Sequence, residues 1–319
     1  MKIYQVILKP LTGFGTPIKG DTLFGHICWQ IYYDKELFGK DLNTLLSDYS
    51  TNPFCIVSSA FSYKDRKIYL KRPSLPLQFL FDLPEDELIE RRKELKDREY
   101  FVFQNPLPPL QKINYFSFPK EDSFILNDEQ VRCTINRFLG TTSRGGFAPF
   151  VVTKTWYMTD LVIFIGIRED ISIEGIIEAL RRIGSFGFGK DATAGWGKFE
   201  VVSYEEIDFY KNCSNTVNAY YTLSPALPEE NVKYLKIFYE PFIRFGRHGD
   251  ILSLSKNPFK APILLADEGA VFVPEKFEQK IYIGKAIYNV SSIEKNAITQ
   301  GYALVIPVEV DYGKIQNKY

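Results

Sequence analysis

The chain has 319 residues, of which 45% are hydrophobic and 15% aromatic, so it can form packed cores and is not intrinsically disordered. Its 39 Lys and Arg residues balance its 39 Asp and Glu residues. No global charge therefore directs the whole surface towards nucleic acid or a membrane, and any RNA-binding face must be local.

The cysteines and the apolar segments define the expected environment. No segment approaches the roughly 18 uninterrupted apolar residues of a membrane span, and the apolar alternation at the amino terminus is too short for a signal peptide. The cysteines are far apart and form no C-x-x-C pair, which argues against a zinc site and a secreted disulfide framework; they are Cys28, Cys55, Cys133 and Cys213. We therefore expect a soluble, cytoplasmic protein with no metal, no cofactor and no membrane contact.

Six predicted elements follow one another as strand, helix, strand, strand, helix and strand. The predicted strands cover residues 3–9, 54–63, 161–167 and 198–204, because their apolar residues alternate or run without interruption. Asp21 is the expected N-cap of the first helix and Ser172 that of the second. This order is the split βαβ pattern of a ferredoxin-like or RRM-like domain.

Both predicted helices are amphipathic, with one buried face each. The second should end at Gly184 in the C′ position, with Arg181 and Arg182 in its last turn. The stripe expected to be buried on the first helix consists of Phe24, Ile27, Cys28, Ile31 and Tyr32, and that on the second of Ile173, Ile176, Ile177, Leu180 and Ile183.

The rest of the chain divides into an insertion and a second domain. A large insertion at about residues 64–160 separates the second and third strands; within it, residues 83–99 favour a solvated helix and residues 105–110 a turn. After about residue 206, short apolar runs alternate with turns rich in Gly, Asn, Pro and Asp, which is typical of strands. The sequence therefore predicts an α+β protein with one domain at residues 1–205 and a second, strand-rich domain at residues 206–319.

A glycine-rich loop follows the second helix and is a candidate for binding a phosphodiester backbone. It contains Gly187, Gly189, Gly195 and Gly197, together with the cations Lys190 and Lys198. Glycine accepts positive φ and leaves backbone N–H groups accessible to an anion. Neither G-x-x-x-x-G-K-[ST] nor G-x-G-x-x-G occurs there, so a mononucleotide loop is not indicated. The alternative is a turn that only caps the helix and leads into the strand.

A basic hairpin is the second candidate. Residues 131–159 contain no acidic residue, and their strand-like flanks around the tip GTTSRGG predict a projecting β-hairpin. Arginine makes bidentate phosphate contacts, hydroxyl groups bind phosphate or 2′-OH groups, and aromatic rings stack on bases. The alternative is a surface hairpin whose arginines pair with carboxylates elsewhere. The residues concerned are the cations Arg132, Arg137, Arg144 and Lys154 and the aromatic residues Phe147, Phe150 and Trp156.

The chain has only two histidines, which leaves few places for acid–base catalysis. His26, on the first helix, could act as the general base of a metal-independent ribonuclease, but no second group is placed to complete the pair, and the alternative is a hydrogen-bonded helix residue. Arg247 and His248 lie in a basic loop that could contact RNA or a partner subunit, or could be a solvated turn. No metalloprotease, nucleophile-elbow or two-metal motif occurs, so no motif supports a hydrolase.

Four segments together resemble the RAMP superfamily of CRISPR proteins, most closely the fourth Csm subunits of type III-A effector complexes. They are PLTGFGTPIKGDTLFGHICW at 10–29, VRCTINRFLGTT at 131–142, IGSFGFGKDATAGWGKFEV at 183–201 and KNPFKAPILLADEGAVF at 256–272. The resemblance implies two ferredoxin-like domains, with the glycine loop closing the first over RNA. It also implies a non-catalytic subunit that holds the repeat-derived 5′ tag of the guide RNA between a large polymerase-like subunit and the first backbone subunit. No contact with DNA is inferred.

The resemblance also implies which residues contact RNA. Asp191 stands where loops of the family commonly carry a cation, so the hairpin is expected to contribute more of the affinity than the loop. The implied hairpin contacts are Arg132, Arg137, Thr141, Thr142, Ser143 and Arg144. Lys154, on the returning strand, is a further candidate from the composition of the hairpin. The other candidates are Gly187, Gly189, Lys190 and Lys198 in the glycine loop, Thr16 and Lys19 before the first helix, and Arg247 and His248 in the second domain.

Two other functions remain open at this point. One is a guide-RNA-processing endoribonuclease of the same superfamily, independent of metal, with His26 as its general base. The other is a protein-interaction subunit whose basic residues face acidic partners.

Overall fold

A long antiparallel strand, β1 (Lys2–Pro10), lies inside the first sheet, and its apolar residues Ile3, Val6 and Leu8 are buried. The computed structural model describes residues 1–115, 124–142 and 146–311. The helices are α1 (Gly20–Tyr33), α2 (Leu42–Ser47), α3 (Leu77–Leu80), α4 (Glu85–Glu90), α5 (Arg92–Lys96) and α6 (Ile173–Phe186). The other strands in the first 210 residues are β2 (Cys55–Val57), β3 (Phe61–Lys64), β4 (Lys67–Lys71), β5 (Tyr100–Val102), β6 (Ile125–Arg132), β7 (Phe150–Tyr157), β8 (Asp160–Ile167) and β9 (Phe199–Ile207).

The first sheet has the strand order β5-β4-β3-β8-β1-β9, with β2 also paired to β8. The strands β1, β3, β8 and β9, with α1 and α6, follow in the predicted order of strand, helix, strand, strand, helix and strand. All ladders of this sheet are antiparallel, and α1 packs against α6 and β2. The predicted element order of residues 1–205 is therefore confirmed.

Several local predictions are corrected. The strand expected at residues 54–63 is divided into β2 and β3, and residues 83–99 form α4 and α5 instead of one helix, with Leu95 buried. Asp21 lies inside the first turn of α1 and is not its N-cap, which is Lys19. Tyr32, expected in the buried stripe, is 60% exposed.

The end of α6 also differs from the prediction, whereas its start does not. Ser172 caps the helix by accepting a hydrogen bond from the backbone N–H of Glu174, as expected. The helix continues past Gly184 to Phe186, so Arg181 and Arg182 are not in its last turn. A Cβ at Gly184 would lie 2.1 Å from the carbonyl oxygen of Phe199, so glycine is needed there for the close packing of α6 on β9.

The second half of the chain forms strands and no α-helix within residues 206–311. Its strands are β10 (Ala219–Thr222), β11 (Tyr234–Phe238), β12 (Pro241–Arg244), β13 (Ile263–Ala266), β14 (Val271–Pro274), β15 (Tyr282–Ile287) and β16 (Thr299–Val308). The five-stranded sheet has the order β11-β14-β10-β16-β15, and β12 pairs with β13 separately. The strand-rich character is as predicted, but residues 206–311 supply no helical layer of a second ferredoxin-like domain, and α1 of the first half packs against β16.

The two halves share one hydrophobic core. All ten residues of β16 are buried, and the core that contains Leu304 and Ile306 also contains Ile27 of α1 and Val57 of β2. The buried side chain of Gln300 accepts a hydrogen bond from the N–H of Val57 at 2.9 Å and donates one to its carbonyl oxygen at 2.8 Å. A side-chain amide therefore supplies the pairing that a neighbouring strand would give to β2.

Charged groups also join the halves at the start of α1. Arg244 donates two hydrogen bonds to the carboxylate of Asp21, at 2.5 and 2.8 Å, and the Asp21 side chain is only 2% exposed. Lys19 forms ion pairs with Asp267 and Glu268, at 2.6 Å each. Buried carboxylates need such partners, because an unpaired buried charge is strongly destabilising.

Replacing the cation of the Asp21 pair should therefore destabilise the whole chain. We expect Arg244→Met to lower the free energy of unfolding by about 3–5 kcal/mol, because it leaves the Asp21 carboxylate buried without its partner. Urea unfolding followed by circular dichroism measures this change. Lys2→Met is the matched control, since the ion pair between Lys2 and Glu206 is solvent-exposed and should contribute little. Equal effects of the two substitutions would contradict the prediction.

Candidate nucleic-acid interface

Three segments that are distant in sequence meet at one side of the first sheet: the loop at residues 11–19, the hairpin of β6 and β7, and the glycine loop at residues 187–198. The N–H of Gly197 donates to the carbonyl oxygen of Gly13 at 2.9 Å, and the N–H of Lys198 donates to Oγ1 of Thr12 at 3.0 Å. Phe14 and Thr155 exchange backbone hydrogen bonds of 2.7 and 2.9 Å. The hairpin and the glycine loop are therefore both attached to the loop at residues 11–19.

The predicted hairpin is present, and it begins earlier than expected. β6 pairs with β7 in an antiparallel ladder from Ile125 opposite Tyr157 to Arg132 opposite Phe150. This ladder places Asp128 opposite Lys154. The basic returning strand therefore faces an acidic residue that the acid-free window of residues 131–159 did not include.

Trp196 connects the hairpin to the glycine loop. The guanidinium group of Arg132 lies 4.4 Å from the centroid of the Trp196 ring, and the ammonium group of Lys154 lies 4.7 Å from it. The ring itself is only 6% exposed. Cation–π contacts of this kind stabilise by about 0.5–2 kcal/mol each, more when they are shielded from water. We refer to Arg132, Lys154 and Trp196 as the tryptophan cluster.

Asp191 has a structural role that explains its position in the loop. Its carboxylate accepts a hydrogen bond from Nη1 of Arg132 at 3.1 Å, so the acidic residue binds the hairpin to the glycine loop. Arg132 is therefore partly neutralised within the chain. Sequence reasoning identified Arg132 and Lys154 but missed Trp196 and this role of Asp191; the only signal for Trp196 was a bulky ring between two glycines.

The glycine loop uses its N–H groups internally at the predicted contact positions. Gly187 and Gly189 have positive φ values of 112° and 74°, as the prediction of a glycine-dependent turn requires. The N–H of Gly187 donates to the carbonyl oxygen of Ile183 at 2.8 Å, and the N–H of Lys190 donates to Oγ1 of Thr16 at 3.0 Å. These backbone groups are thus not free to bind phosphate, and of Lys190 only the exposed side chain remains available.

The described part of the hairpin tip is exposed. The N–H of Asn136 donates to the carbonyl oxygen of Thr141, and Oδ1 of Asn136 accepts a hydrogen bond from the N–H of Phe138, which closes a turn. Arg137, Thr141 and Thr142 are exposed on this turn. Ser143 and Arg144 lie outside the described residues.

Lys19 is not part of this surface, although the sequence suggested it. Its ammonium group lies between the carboxylates of Asp267 and Glu268 and 4.5 Å from the ring centroid of Phe242, and the side chain is 15% exposed. Burial raises the pKa of Asp267, but the charge of Lys19, the hydrogen bond with Glu268 and the charge of Lys71 together lower this pKa below its usual range. Lys19 therefore joins the two halves of the chain. Its ammonium group is already paired with two carboxylates and is not available to bind a phosphate.

Arg247 and His248 are also separate from the tryptophan cluster. Nε2 of His248 lies 2.7 Å from Oγ of Ser291, and burial, followed by the charge of Lys260, lowers the pKa of this largely buried imidazole. Arg247 lies over the Phe259 ring at 5.8 Å. His248 lines a cavity between α1 and the second half of the chain, and no residue of the tryptophan cluster lines that cavity.

His26 supports the glycine loop. Its Nε2 accepts a hydrogen bond from the N–H of Gly189 at 3.3 Å, and its ring packs on that of Phe188 with centroids 4.7 Å apart. Burial lowers the pKa of His26 to about 4. A weakly basic nitrogen that already accepts a hydrogen bond is poorly suited to deprotonate a 2′-hydroxyl, so the geometry argues against His26 as a general base.

The low pKa of His26 gives the stability of the chain a pH dependence. Below pH 6.5 the unfolded state binds a proton that the folded state does not accept until about pH 4, so this group should lower the free energy of unfolding by up to about 3 kcal/mol as the pH falls across that window. His26→Gln keeps an acceptor for Gly189 but does not titrate. Urea unfolding at several pH values should show the parent chain losing stability relative to His26→Gln as the pH falls from 6.5 to 4; a difference that does not change with pH would contradict the assignment.

Comparisons with known proteins bear on the fold. No protein-family profile and no curated protein sequence matches the chain. A chain in the crystal structure of a Csm1–Csm4 cassette in complex with pppApA is 18% identical with a TM-score of 0.60, and one in the cassette in complex with cA4 is 17% identical with a TM-score of 0.60; each match covers 98% of both chains. A chain of the Csm3–Csm4 subcomplex of a type III-A CRISPR–Cas interference complex is 15% identical with a TM-score of 0.54, over 97% of this chain and 100% of that one. The chain therefore has the fold of these Csm-complex subunits, as its resemblance to the RAMP superfamily implies.

Proposed function

We propose that this chain is the Csm4-like subunit of a type III-A CRISPR effector complex and holds the 5′ tag of the guide RNA. The observation that carries the proposal is the tryptophan cluster, which fixes a projecting hairpin beside the glycine loop in a chain with this fold. In this proposal the RNA backbone passes along the surface where these two elements meet.

The cations of this surface differ in how free they are to bind phosphate. Arg132 and Lys154 are held by the ring of Trp196, and Arg132 is also paired with Asp191. Arg137 and Lys190 have exposed side chains, so they are the cations best placed to bind RNA phosphates directly. The tryptophan cluster then positions the hairpin, and the exposed cations supply most of the attraction.

The proposed neighbours are a large polymerase-like subunit and a backbone subunit. The similar structures are those of Csm1–Csm4 and Csm3–Csm4 assemblies, which supports both partners. The exposed tip carries apolar residues, with Ile135, Phe138 and Leu139 exposed by 57%, 99% and 67%. Such a group is unfavourable in water and fits a surface that is covered in an assembly.

The proposal includes a non-catalytic role inside the cell. The low pKa and the hydrogen bond of His26 support that role, since they remove the base of the endoribonuclease alternative.

No helix within the described residues is long and apolar enough to cross a membrane. The strand order β3-β8-β1-β9 supports a ferredoxin-like first domain at residues 1–205.

Removing an exposed hairpin cation should weaken RNA binding in a salt-dependent way. We expect Arg137→Ala to lower the affinity for a single-stranded RNA with the repeat-derived 5′ tag by about tenfold at low salt, because it removes a charged hydrogen bond. The slope of log K against log salt should become shallower by about 0.7, the value for one phosphate contact on a single strand. Filter binding at a series of salt concentrations measures both quantities.

Arg92→Ala is the matched control, because Arg92 is exposed on α5, away from the hairpin, and should leave affinity and slope unchanged. Identical slopes for Arg137→Ala and the parent chain would contradict the hairpin assignment. Ultraviolet crosslinking of the complex from its native source, with mass spectrometry of bound RNA and proteins, separates the remaining alternative: a protein-interaction subunit would give protein partners but no RNA crosslink at residues 131–142.

A further inference from the structure

A cavity of about 400 Å³ lies on the face of α1 opposite to His26. Its walls are α1, α2 and the second-half segments around residues 248–260 and 294–298. None of the residues that line it belongs to the hairpin or to the glycine loop. Its volume falls within the range of about 300–1,000 Å³ that is common for sites of small molecules.

One wall of the cavity is aromatic and firmly held. Trp29 stacks on Tyr33 with ring centroids 5.7 Å apart and meets the edge of Tyr32 at 5.5 Å. The hydroxyl of Tyr33 donates to the carboxylate of Asp250, which attaches the aromatic group to the facing segment of the second half. The indole is thus fixed before any ligand binds, and such a surface favours a flat apolar ring.

The cavity also contains a cation without a partner. Lys260 lines the cavity, and within the part of the chain that the structure describes no carboxylate lies within ion-pair distance of its ammonium group. Asp21, a nearby carboxylate, is already bound by Arg244. Two carboxylates also line the cavity, and each accepts hydrogen bonds within its own segment: Asp41 from Thr44, and Glu294 from the N–H of Asn296. Burial lowers the pKa of Lys260 from its usual range, so its charge is poorly solvated as the structure stands. A bound anion would supply the missing partner.

We propose that this cavity binds a small organic anion with a planar aromatic body, the chemical class to which nucleoside monophosphates belong. Lys260 pairs with the anionic group, and the ring of Trp29 packs against the planar body. Asn43 and Asn296 at the wall provide amide groups for polar edges of that body. His248 also lines the cavity, and burial, followed by the charge of Lys260, lowers the pKa of its imidazole.

Calorimetric titration of the full chain with adenosine 5′-monophosphate tests the proposal. We expect saturable binding with one site. Lys260→Met should weaken it by about tenfold or more, because the charged hydrogen bond is lost, whereas Lys260→Arg should retain it. Trp29→Leu should weaken it as well. Adenosine, which lacks the anion, and ribose 5-phosphate, which lacks the planar body, should each bind at least about tenfold more weakly.

Two measurements keep these outcomes interpretable. The melting temperature of unligated Lys260→Met should equal or exceed that of the parent chain, because the substitution removes a poorly solvated charge. Lys276→Met, at an exposed lysine of the second half, and Arg137→Ala in the hairpin should leave the titration unchanged. Binding of the nucleotide can therefore fail while RNA binding at the hairpin persists, and the reverse also holds.

Three results would overturn the proposal. The first is no binding of adenosine 5′-monophosphate to the parent chain. The second is equal binding to the parent chain and Lys260→Met. The third is a clear loss of stability in unligated Lys260→Met, which would identify Lys260 as a structural group and not a ligand-binding one.

Discussion

The arrangement of the proposed RNA surface depends on one side chain, the indole of Trp196. Two cations from the hairpin lie over this buried ring, and Asp191 of the same loop binds one of them. The base of the hairpin is also attached to the first sheet by the backbone bridge between Phe14 and Thr155 and by the packing of Tyr157 on Phe14, whereas the ring holds Arg132, at the far end of the ladder, against the glycine loop. A two-stranded hairpin is marginally stable alone, so its orientation has to come from such contacts.

The glycine loop is better described as a rigid support than as an open cradle. The N–H groups of Gly189 and Lys190 bind His26 and Thr16, and a Cβ at Gly189 would lie 2.8 Å from that of Thr16. Glycine is required here for the close approach of two chain segments. The greater contribution of the hairpin to the affinity for RNA stays a prediction.

Local patterns in the sequence predicted most of the fold, and distant pairings account for what they missed. The Ser172 cap, the strands β1, β8 and β9 and the hairpin depend on neighbouring residues, and these were identified, whereas β4 and β5 of the first sheet were not. Lys19 looked like a free cation before the first helix, but its partners Asp267 and Glu268 lie about 250 residues away in sequence. Trp196 was missed for the same reason, since its role depends on cations from another segment.

The helix α1 connects the separate parts of the molecule. One face carries His26 against the glycine loop, another carries Trp29 at the wall of the cavity, and the first turn binds the second half through Asp21. Because the paired charges at this first turn are largely buried, moving the helix relative to the second half would expose or separate them at a large cost in free energy. The position of α1, and with it that of Gly189, is therefore fixed in part by the ion pair between Asp21 and Arg244. Arg244 is far in sequence from the proposed RNA surface. The second half thus acts on that surface through the placement of α1, without contributing a residue to the tryptophan cluster.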